Sequence, residues 1–477
     1  MAALAIPFDN SLHYPTEKLL VSSVLGPRDR DVLSSLALTK DKVYVVVKRG
    51  QEFFSELPDL YELRPHNVGL VAFVPEKSKP NIKSTTEKCF DWIVFYDDSQ
   101  TIYEGVKSLD EIQIPSLHVF GDELAELMPL EKIYLIHCEE TSMSEVSRVR
   151  EKLGLEGTYL EDVKHMRQKE LIYELAEATG LPVPKSVHVD FSKTKDFDQI
   201  LKNVMTKIGI FPMFSKPTML VSGLGSVTLK NKEDLETWIM ERLCDKHKSS
   251  YIVQEYVQGP EFSVIVVLLR NGKWKTLSVN HNLLSEETNL HKSLVKGCPL
   301  VYVSELLDKF PGMYEFVDKV IDTFNPPHPQ IYLVQGMFSG RKKDPYILIE
   351  MDYRPPGTPF NHTVSAVSGV NYNTALMLAF MDEDYTAEPG SNWKPGVFAS
   401  IYYPYKKGIL VEHNEPPRNP QITGKIEAQW FEKPGAKMQV TTSVNDMIVW
   451  LALESSCEEE RNTDIAWICK NWTPNVS

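Results

Sequence analysis

The stretch Tyr332–His362, YLVQGMFSGRKKDPYILIEMDYRPPGTPFNH, decides how the chain is read. Two apolar runs, Tyr332 to Phe338 and Tyr346 to Met351, flank the polar segment SGRKKDP, a pattern that predicts two antiparallel strands joined by a loop. Side chains alternate across a strand, so Glu350, Asp352 and Arg354 share one face and Gln335 stands opposite them on the neighbouring strand. That face is a candidate metal and phosphate site. Hard oxygen donors suit Mg²⁺, which keeps several waters and shares one or two carboxylates with nucleotide phosphates. Arg354 adds a planar fork for a phosphate or a carboxylate. The same alternation also describes a hairpin edge whose polar residues merely face water, so the rest of the chain has to choose between the two.

With 477 residues the chain is long enough for two to four domains with full cores, and its 42% hydrophobic and 24% charged residues are ordinary for a globular protein. A net charge of -14 argues against a general nucleic-acid binder, which needs basic surface to neutralise phosphates. Six scattered cysteines form no CxxC pair, so neither a disulfide frame nor a zinc site is expected. The N-terminus MAALAIPFDNSLHYPTEK has no basic region leading into an apolar run, and no stretch of about 18 apolar residues occurs. A cytoplasmic protein with no membrane partner is therefore expected.

Working back from the hairpin, the first 160 or so residues alternate apolar runs with helical patterns. KVYVVVK (Lys42 to Lys48), VGLVAFV (Val68 to Val74), DWIVFYD (Asp91 to Asp97), SLHVFGD (Ser116 to Asp122) and KIYLIHCEE (Lys132 to Glu140) read as five strands of a parallel sheet covered on both faces. This is a Rossmann-like unit without GxGxxG, which makes a dinucleotide there unexpected. His137, Glu139 and Glu140 close its last strand, where open α/β sheets place ligands and where solvated strand ends are also common. Glu161 to Pro184 then reads as a helix carrying Lys169, capped by Gly180 and stopped by Pro182.

A smaller unit follows. FPMFSKP (Phe211 to Pro217) is a short strand that lifts Lys216 out of an apolar setting, and VSGLGSVTL (Val221 to Leu229) is a glycine- and serine-rich turn. Backbone amides freed by small residues can cradle phosphate oxygens beside an ammonium, although Gly223 and Gly225 would equally close a tight hairpin. YIVQEYVQGPEFSVIVV (Tyr251 to Val267) gives two strands around a linker suited to a purine edge, with Glu261 placed for ribose hydroxyls. LLRNGKWKTLS is a hairpin on an Asn-Gly turn, and Met313 to Phe324 an amphipathic helix.

The order of these pieces resembles the ATP-grasp superfamily: a helix lysine before GLPVP, a strand lysine before a glycine-rich loop, a QEYV linker with GPEFSV, then strands ending in IEMDYR. Within it, RPPGTPFNHTVSAVSGVNY (Arg354 to Tyr372), ASIYYPYKKGILVE and FEKPGAKMQV are similar to carboxylate-amine ligases of the L-amino-acid ligase and carnosine synthase kind. The resemblance implies an α/β (α+β) ATP-grasp fold. It divides the chain into a Rossmann-like domain over 1–160, an ATP-grasp domain over 161–385 with a lid at about 186–250, and a β-rich region over 386–477.

Position by position, it implies that Lys169 and Lys216 contact ATP and that Ser222, Gly223, Gly225 and Ser226 close over the phosphates. Gln254, Glu255 and Val257 would border the adenine, with Glu261 on the ribose. Gln335, Glu350 and Asp352 would meet Mg²⁺ or Mn²⁺, and Arg354 would orient an acylphosphate or a substrate carboxylate. The chain departs from the family's usual pattern where Gln335 replaces a carboxylate and Asp352 an asparagine. The activity implied is ADP-forming amide synthesis between small acids and amines, with a homodimer permitted. Gln335 motivates the alternative of a nucleotide-binding protein with weak catalysis and a regulatory role. A carboxylase would need a biotin partner, and the chain has no biotin-accepting signature. Arg354, Asn361, His362 and Asn280 to Asn282 are candidates for an acceptor pocket.

Overall fold

In the computed structural model, which describes residues 23–48, 57, 59–101, 111–218, 225–245, 249–281, 296–302, 306–357, 360–416, 422–440 and 446–477, helix α1 (Pro27–Thr39) leads into strand β1 (Lys42–Val47). Short helix α2 (Leu60–Leu63), β2 (Val68–Pro75), α3 (Ser84–Glu87), β3 (Trp92–Tyr96), α4 (Pro115–Leu127), β4 (Ile133–His137) and α5 (Glu140–Leu153) complete the first domain. Its sheet runs β3-β2-β1-β4, all parallel. Among the described residues four of the five expected strands form. Residues 116–122 lie in α4, because Pro115 opens a helix and Leu117, Phe120, Gly121 and Leu124 recur at helical spacing on its buried face.

The helix expected after this sheet is broken in two. α6 (Leu160–Arg167) ends at Gln168, whose extended backbone (φ -85, ψ 113) also caps α7 (Lys169–Thr179). The break makes Lys169 the first residue of a new helix instead of a mid-helix side chain. Gly180 takes the left-handed cap at φ 69. The smaller unit then folds as β5 (Ser186–Asp190), α8 (Phe197–Lys207), β6 (Met213–Pro217), β7 (Val227–Leu229), α9 (Lys232–Cys244) and β8 (Ser250–Glu255). Its antiparallel sheet, β5-β8-β6-β7, has its own core around Phe191, Ile200, Trp238 and Ile239.

The remaining elements build one large sheet. They are β9 (Glu261–Leu268), β10 (Trp274–His281), β11 (Lys296–Tyr302), α10 (Leu306–Lys309), α11 (Met313–Phe324), β12 (Gln330–Phe338), β13 (Tyr346–Asp352), α12 (Phe360–Ser368) and α13 (Tyr372–Met381). After them come β14 (Val397–Pro404), β15 (Gly408–Glu412), β16 (Lys425–Trp430), β17 (Lys437–Met438), β18 (Met447–Ser455), α14 (Glu458–Asn471) and β19 (Asn475–Val476). The order β13-β12-β9-β10-β11-β14-β18-β16 shows that the C-terminal strands extend the same sheet, while β17-β15-β19 form a small separate one.

Alternation sorts this large sheet into two cores. Ile331, Leu333, Ile265 and Val267 pack against α13 and against the outer face of the first domain. Tyr332, Val334, Val264 and Val266 pack against α7 and α11. Each such aliphatic side chain, fully buried, stabilises by about 1.5–3 kcal/mol, so strand parity here is strongly specified. By the same parity Gln335, Glu350 and Asp352 belong to the first face.

Candidate functional site

β12 and β13 pair antiparallel with Gln335 opposite Glu350 and Leu333 opposite Asp352. Between them the register slips: Gly336 pairs with Leu348, leaving Ile349 as an extra residue. This β-bulge lets Leu348 and Met351 point into the same core while Glu350 and Asp352 turn to the opposite face. Gly336 permits it, since a Cβ there would lie 2.5 Å from Ile347 O and from the Phe262 ring. The row continues through Ser263 on β9, whose Oγ accepts from Gln335 Nε2 at 3.4 Å, to Asn280 on β10.

Cations gather on this acidic edge. Lys169 Nζ, at the start of α7, lies 3.7 Å from Glu350 Oε2. Lys216, buried near the end of β6, points its ammonium at Ile349 O, 3.4 Å away, and over the Tyr173 ring at 5.4 Å from its centroid. Burial pushes the Glu350 carboxyl up, but Lys169, Lys216 and Arg354 outweigh it and hold it below the usual carboxylate range. Burial likewise pulls the Lys216 ammonium down, against the pull of Glu350 and Glu261.

Arg354 sits in a second charged group. Its Nη2 is 3.1 Å from Asp352 Oδ2, its Nε 3.5 Å from Glu140 Oε2, and its Nη1 donates to Pro355 O at 3.0 Å. Glu140 opens α5 of the first domain and also takes Arg167 at 2.9 Å. Asp352 is pushed up to about 6, by burial first and then by Glu350 and Glu140, with Arg354 opposing. Its carboxylate is thus committed to Arg354, and Glu350 is the acidic group left facing the cations. His137, by contrast, is a buried core residue pulled down to about 3 by burial and by Arg150.

At the linker, Gln254 points inward. Its Oε1 accepts from the Tyr173 hydroxyl at 2.9 Å, so the side chain that sequence reading placed on the adenine edge is turned toward α7. Glu255 uses its backbone N–H on Lys185 O at 2.9 Å, and its Oε1 meets Arg341 Nη2 at 3.4 Å. Arg341, in the polar loop between β12 and β13, therefore reaches back to the linker. Val257 is buried and Glu261 exposed at the start of β9. Gly259, at φ +137, lets the linker touch β12, because a Cβ there would lie 1.7 Å from Phe338 O. Gly225 (φ 71) and Ser226 lead into β7, while Ser222 and Gly223 lie outside the described residues.

The acceptor candidates separate. Asn280 lies buried on the same row as Glu350. Asn361 Oδ1 accepts from Tyr372 N at 3.1 Å and ties α12 to α13. His362 sits beside Trp450 with Lys425, Glu427 and Glu454, at the far side of the sheet. His281 faces Phe310, and Asn282 is outside the described residues.

Among the described residues, no group of three or more His, Cys, Asp or Glu side chains is placed to hold a metal ion by itself. Mg²⁺ takes only one or two protein carboxylates and completes its shell with phosphate oxygens and water. Glu350 and Gln335 stand opposite each other in the register of β12 and β13. Sequence reading missed Tyr173 and the roles of Glu140 and Arg167. Tyr173 stands one helical turn beyond Lys169 on α7, a spacing that puts both on one helix face and was available as a signal.

Comparison with known proteins gives one family model over part of the chain and many solved structures of similar fold. Residues 175–289 match the family model described as the D-ala D-ala ligase C-terminus. No curated protein matches the chain. The crystal structure of an L-amino acid ligase from Bacillus licheniformis is similar over 92% of this chain and 99% of its own, with 13% identity and a TM-score of 0.65. An ADP complex of N5-carboxyaminoimidazole synthetase from Staphylococcus aureus covers 91% and 98%, at 13% identity and TM-score 0.58. The biotin carboxylase domain dimer of Hydrogenobacter thermophilus 2-oxoglutarate carboxylase, with MgADP and bicarbonate, covers 87% and 86%, at 15% identity and TM-score 0.56.

Proposed function

We propose that this chain, which has the ATP-grasp fold, is an ATP-dependent carboxylate-amine ligase that joins two small molecules through an acylphosphate and releases ADP and phosphate. The observation that carries this reading is the meeting of Lys169, Lys216 and Arg354 with Glu350 and Asp352 at one end of the large sheet. Cations fixed in a largely buried setting suit a triphosphate, whose charge shifts during transfer and needs donors already in place.

In the first step a substrate carboxylate oxygen bonds to the γ-phosphorus, the bond to the β–γ bridging oxygen breaks, and ADP leaves. Lys169 and Lys216 hold the phosphate oxygens. Arg354, steadied by Asp352 and Glu140, presents its fork to the acyl side. In the second step the amine bonds to the acyl carbon, the carbon–oxygen bond to phosphate breaks, and the amine gives up a proton. The smaller unit of β5 to β8 with α8 and α9 serves as the lid that keeps water from the acylphosphate. Mg²⁺, when bound beside Glu350 and Gln335, neutralises phosphate charge as a Lewis acid. Mn²⁺ accepts the same oxygen donors.

Among the described residues no helix is long and apolar enough to cross a membrane. We read the protein as cytoplasmic, in keeping with the free thiols of Cys89, Cys138, Cys244, Cys457 and Cys469. Exposed Leu38, Tyr61 and Leu63 on the first domain suit a homodimer. The test is phosphate release by purified protein with ATP, Mg²⁺ and a pool of amino acids, with mass spectrometry of the products. Release that needs both an acid and an amine, with a new amide detected, is the expected result. Nucleotide binding with no amine-dependent release would sink the ligase reading.

A further inference from the structure

The bulge on β13 has a chemical use, because it brings the carbonyl of Ile349 onto the side of the strand that faces α7 and the smaller unit. β13 is the outer strand of its sheet, so this carbonyl is not consumed by a further strand. Two groups converge on it. The Tyr173 hydroxyl lies 3.0 Å from Ile349 O and the Lys216 ammonium 3.4 Å from it. Tyr173 also reaches Gln254 Oε1 at 2.9 Å, and its ring lies beneath the Lys216 ammonium. One buried phenol thus touches β8 and β6 of the smaller unit and β13 of the large sheet.

A lysine on a four-carbon stem has many rotamers, and its ammonium is a flexible point charge. Here a ring face and a carbonyl oxygen limit where that charge can sit. The carbonyl belongs to the residue immediately before Glu350, so whatever fixes it also fixes the spacing between Lys216 and the acidic edge. We propose that Tyr173 is a positioning residue that holds the Lys216 ammonium against the Ile349 carbonyl, and so sets the lid lysine at a defined distance from Glu350. Its importance for nucleotide binding rests on the reading of this cleft as a nucleotide site, but the positioning itself does not.

The two layers are tested separately. Tyr173→Phe removes only the hydroxyl and keeps the ring in the core that it shares with Ile172 and Ala176. In nucleotide-free protein, pulse labelling with acetic anhydride read by mass spectrometry is expected to modify Lys216 at least about threefold faster in Tyr173→Phe than in wild type, with distant lysines such as Lys425 unchanged. Equal Lys216 labelling would overturn the proposal. Binding of a non-hydrolysable ATP analogue is then measured in a double-mutant cycle. Lys216→Ala is expected to weaken binding about tenfold, as loss of a charge-assisted phosphate contact should. Tyr173→Phe is expected to weaken it several-fold, and the double variant to bind like Lys216→Ala alone. Effects that multiply would show that Tyr173 acts by another route and overturn the proposal. Unchanged affinity in Lys216→Ala would instead remove the nucleotide reading, while the labelling result still decides the positioning. Should Tyr173→Phe fail to fold, Gln254→Leu removes the acceptor that competes with Ile349 O for the phenol's one proton, so slower labelling of Lys216 is expected, and unchanged or faster labelling would overturn the proposal.

Discussion

Arg354, just past the end of β13, shares its guanidinium between Asp352, 3.1 Å away at that strand's end, and Glu140, 3.5 Å away on the first domain. The side chain expected to handle the acyl group is therefore held by two domains at once. Glu140 also pairs with Arg167, so Glu140→Gln removes one charged partner from two arginines at once. Breaking a largely buried pair on one side costs about 3 kcal/mol or more. A clear fall in melting temperature is expected, together with a rise in KM for the acid substrate. A variant as stable as wild type would show that this link between domains carries no net energy.

Asp352 makes stability depend on pH in an unusual direction. Its folded value of about 6 lies above the ordinary carboxylate value near 3.9. Below both values the group is protonated in both states and contributes nothing. Between them the folded state binds more protons, so stability falls as pH rises, and above about 6 the whole penalty is present. Asp352→Asn removes this dependence. The melting-temperature difference between variant and wild type is expected to grow in the variant's favour from about pH 4 to about pH 6 and then level off. A difference that stays flat across that range counts against the buried, crowded carboxylate.

Glu350→Ala tests the acidic edge itself. Without its carboxylate, Lys169 loses the ion pair at 3.7 Å and the position across from Gln335 loses its negative charge. Turnover of ATP is expected to fall at least about a hundredfold, the scale seen when a group stabilising transferred charge is lost. Glu350 is about one-third exposed, its side chain standing at 35%, so circular dichroism and melting behaviour should stay close to wild type. Unchanged turnover would remove Glu350 from the chemistry.

Much of this arrangement was legible because strands print their parity in the sequence. Tyr332 to Phe338 and Tyr346 to Met351 announce a hairpin, and Glu350 does face Gln335. The bulge at Ile349 was not legible, since one extra residue leaves no compositional mark beyond Gly336 on the partner strand. The reading of Ser116 to Asp122 as a strand failed for a different reason. Three apolar side chains, Leu117, Val119 and Phe120, within seven residues fit either period, and Pro115 was the arbitrating signal. Contacts far apart in the chain, such as Glu140 with Arg354 or Tyr173 with Ile349, are set by tertiary packing and have no local signature at all.

Gln335 offers the sharpest test of how the metal is held. Its amide stands across from Glu350, where a second carboxylate would add a negative charge to the donor set. Oxygen-ligand sites gain affinity for divalent cations as that charge count rises. The surroundings tolerate the exchange: the neighbour of Gln335 is the Ser263 hydroxyl at 3.4 Å, which can turn to donate to a carboxylate. Lys169 and Lys216 already raise the positive potential of this face and keep Glu350 ionised, which limits repulsion between the two acids. Gln335→Glu is therefore expected to lower the Mg²⁺ concentration giving half-maximal ATP turnover by about threefold to tenfold, an effect of roughly 1 kcal/mol. Titrating Mg²⁺ at fixed ATP in both proteins measures it. A shift to higher Mg²⁺ would mean that the amide carbonyl is already the better donor, or that the metal approaches Glu350 from the side away from β12.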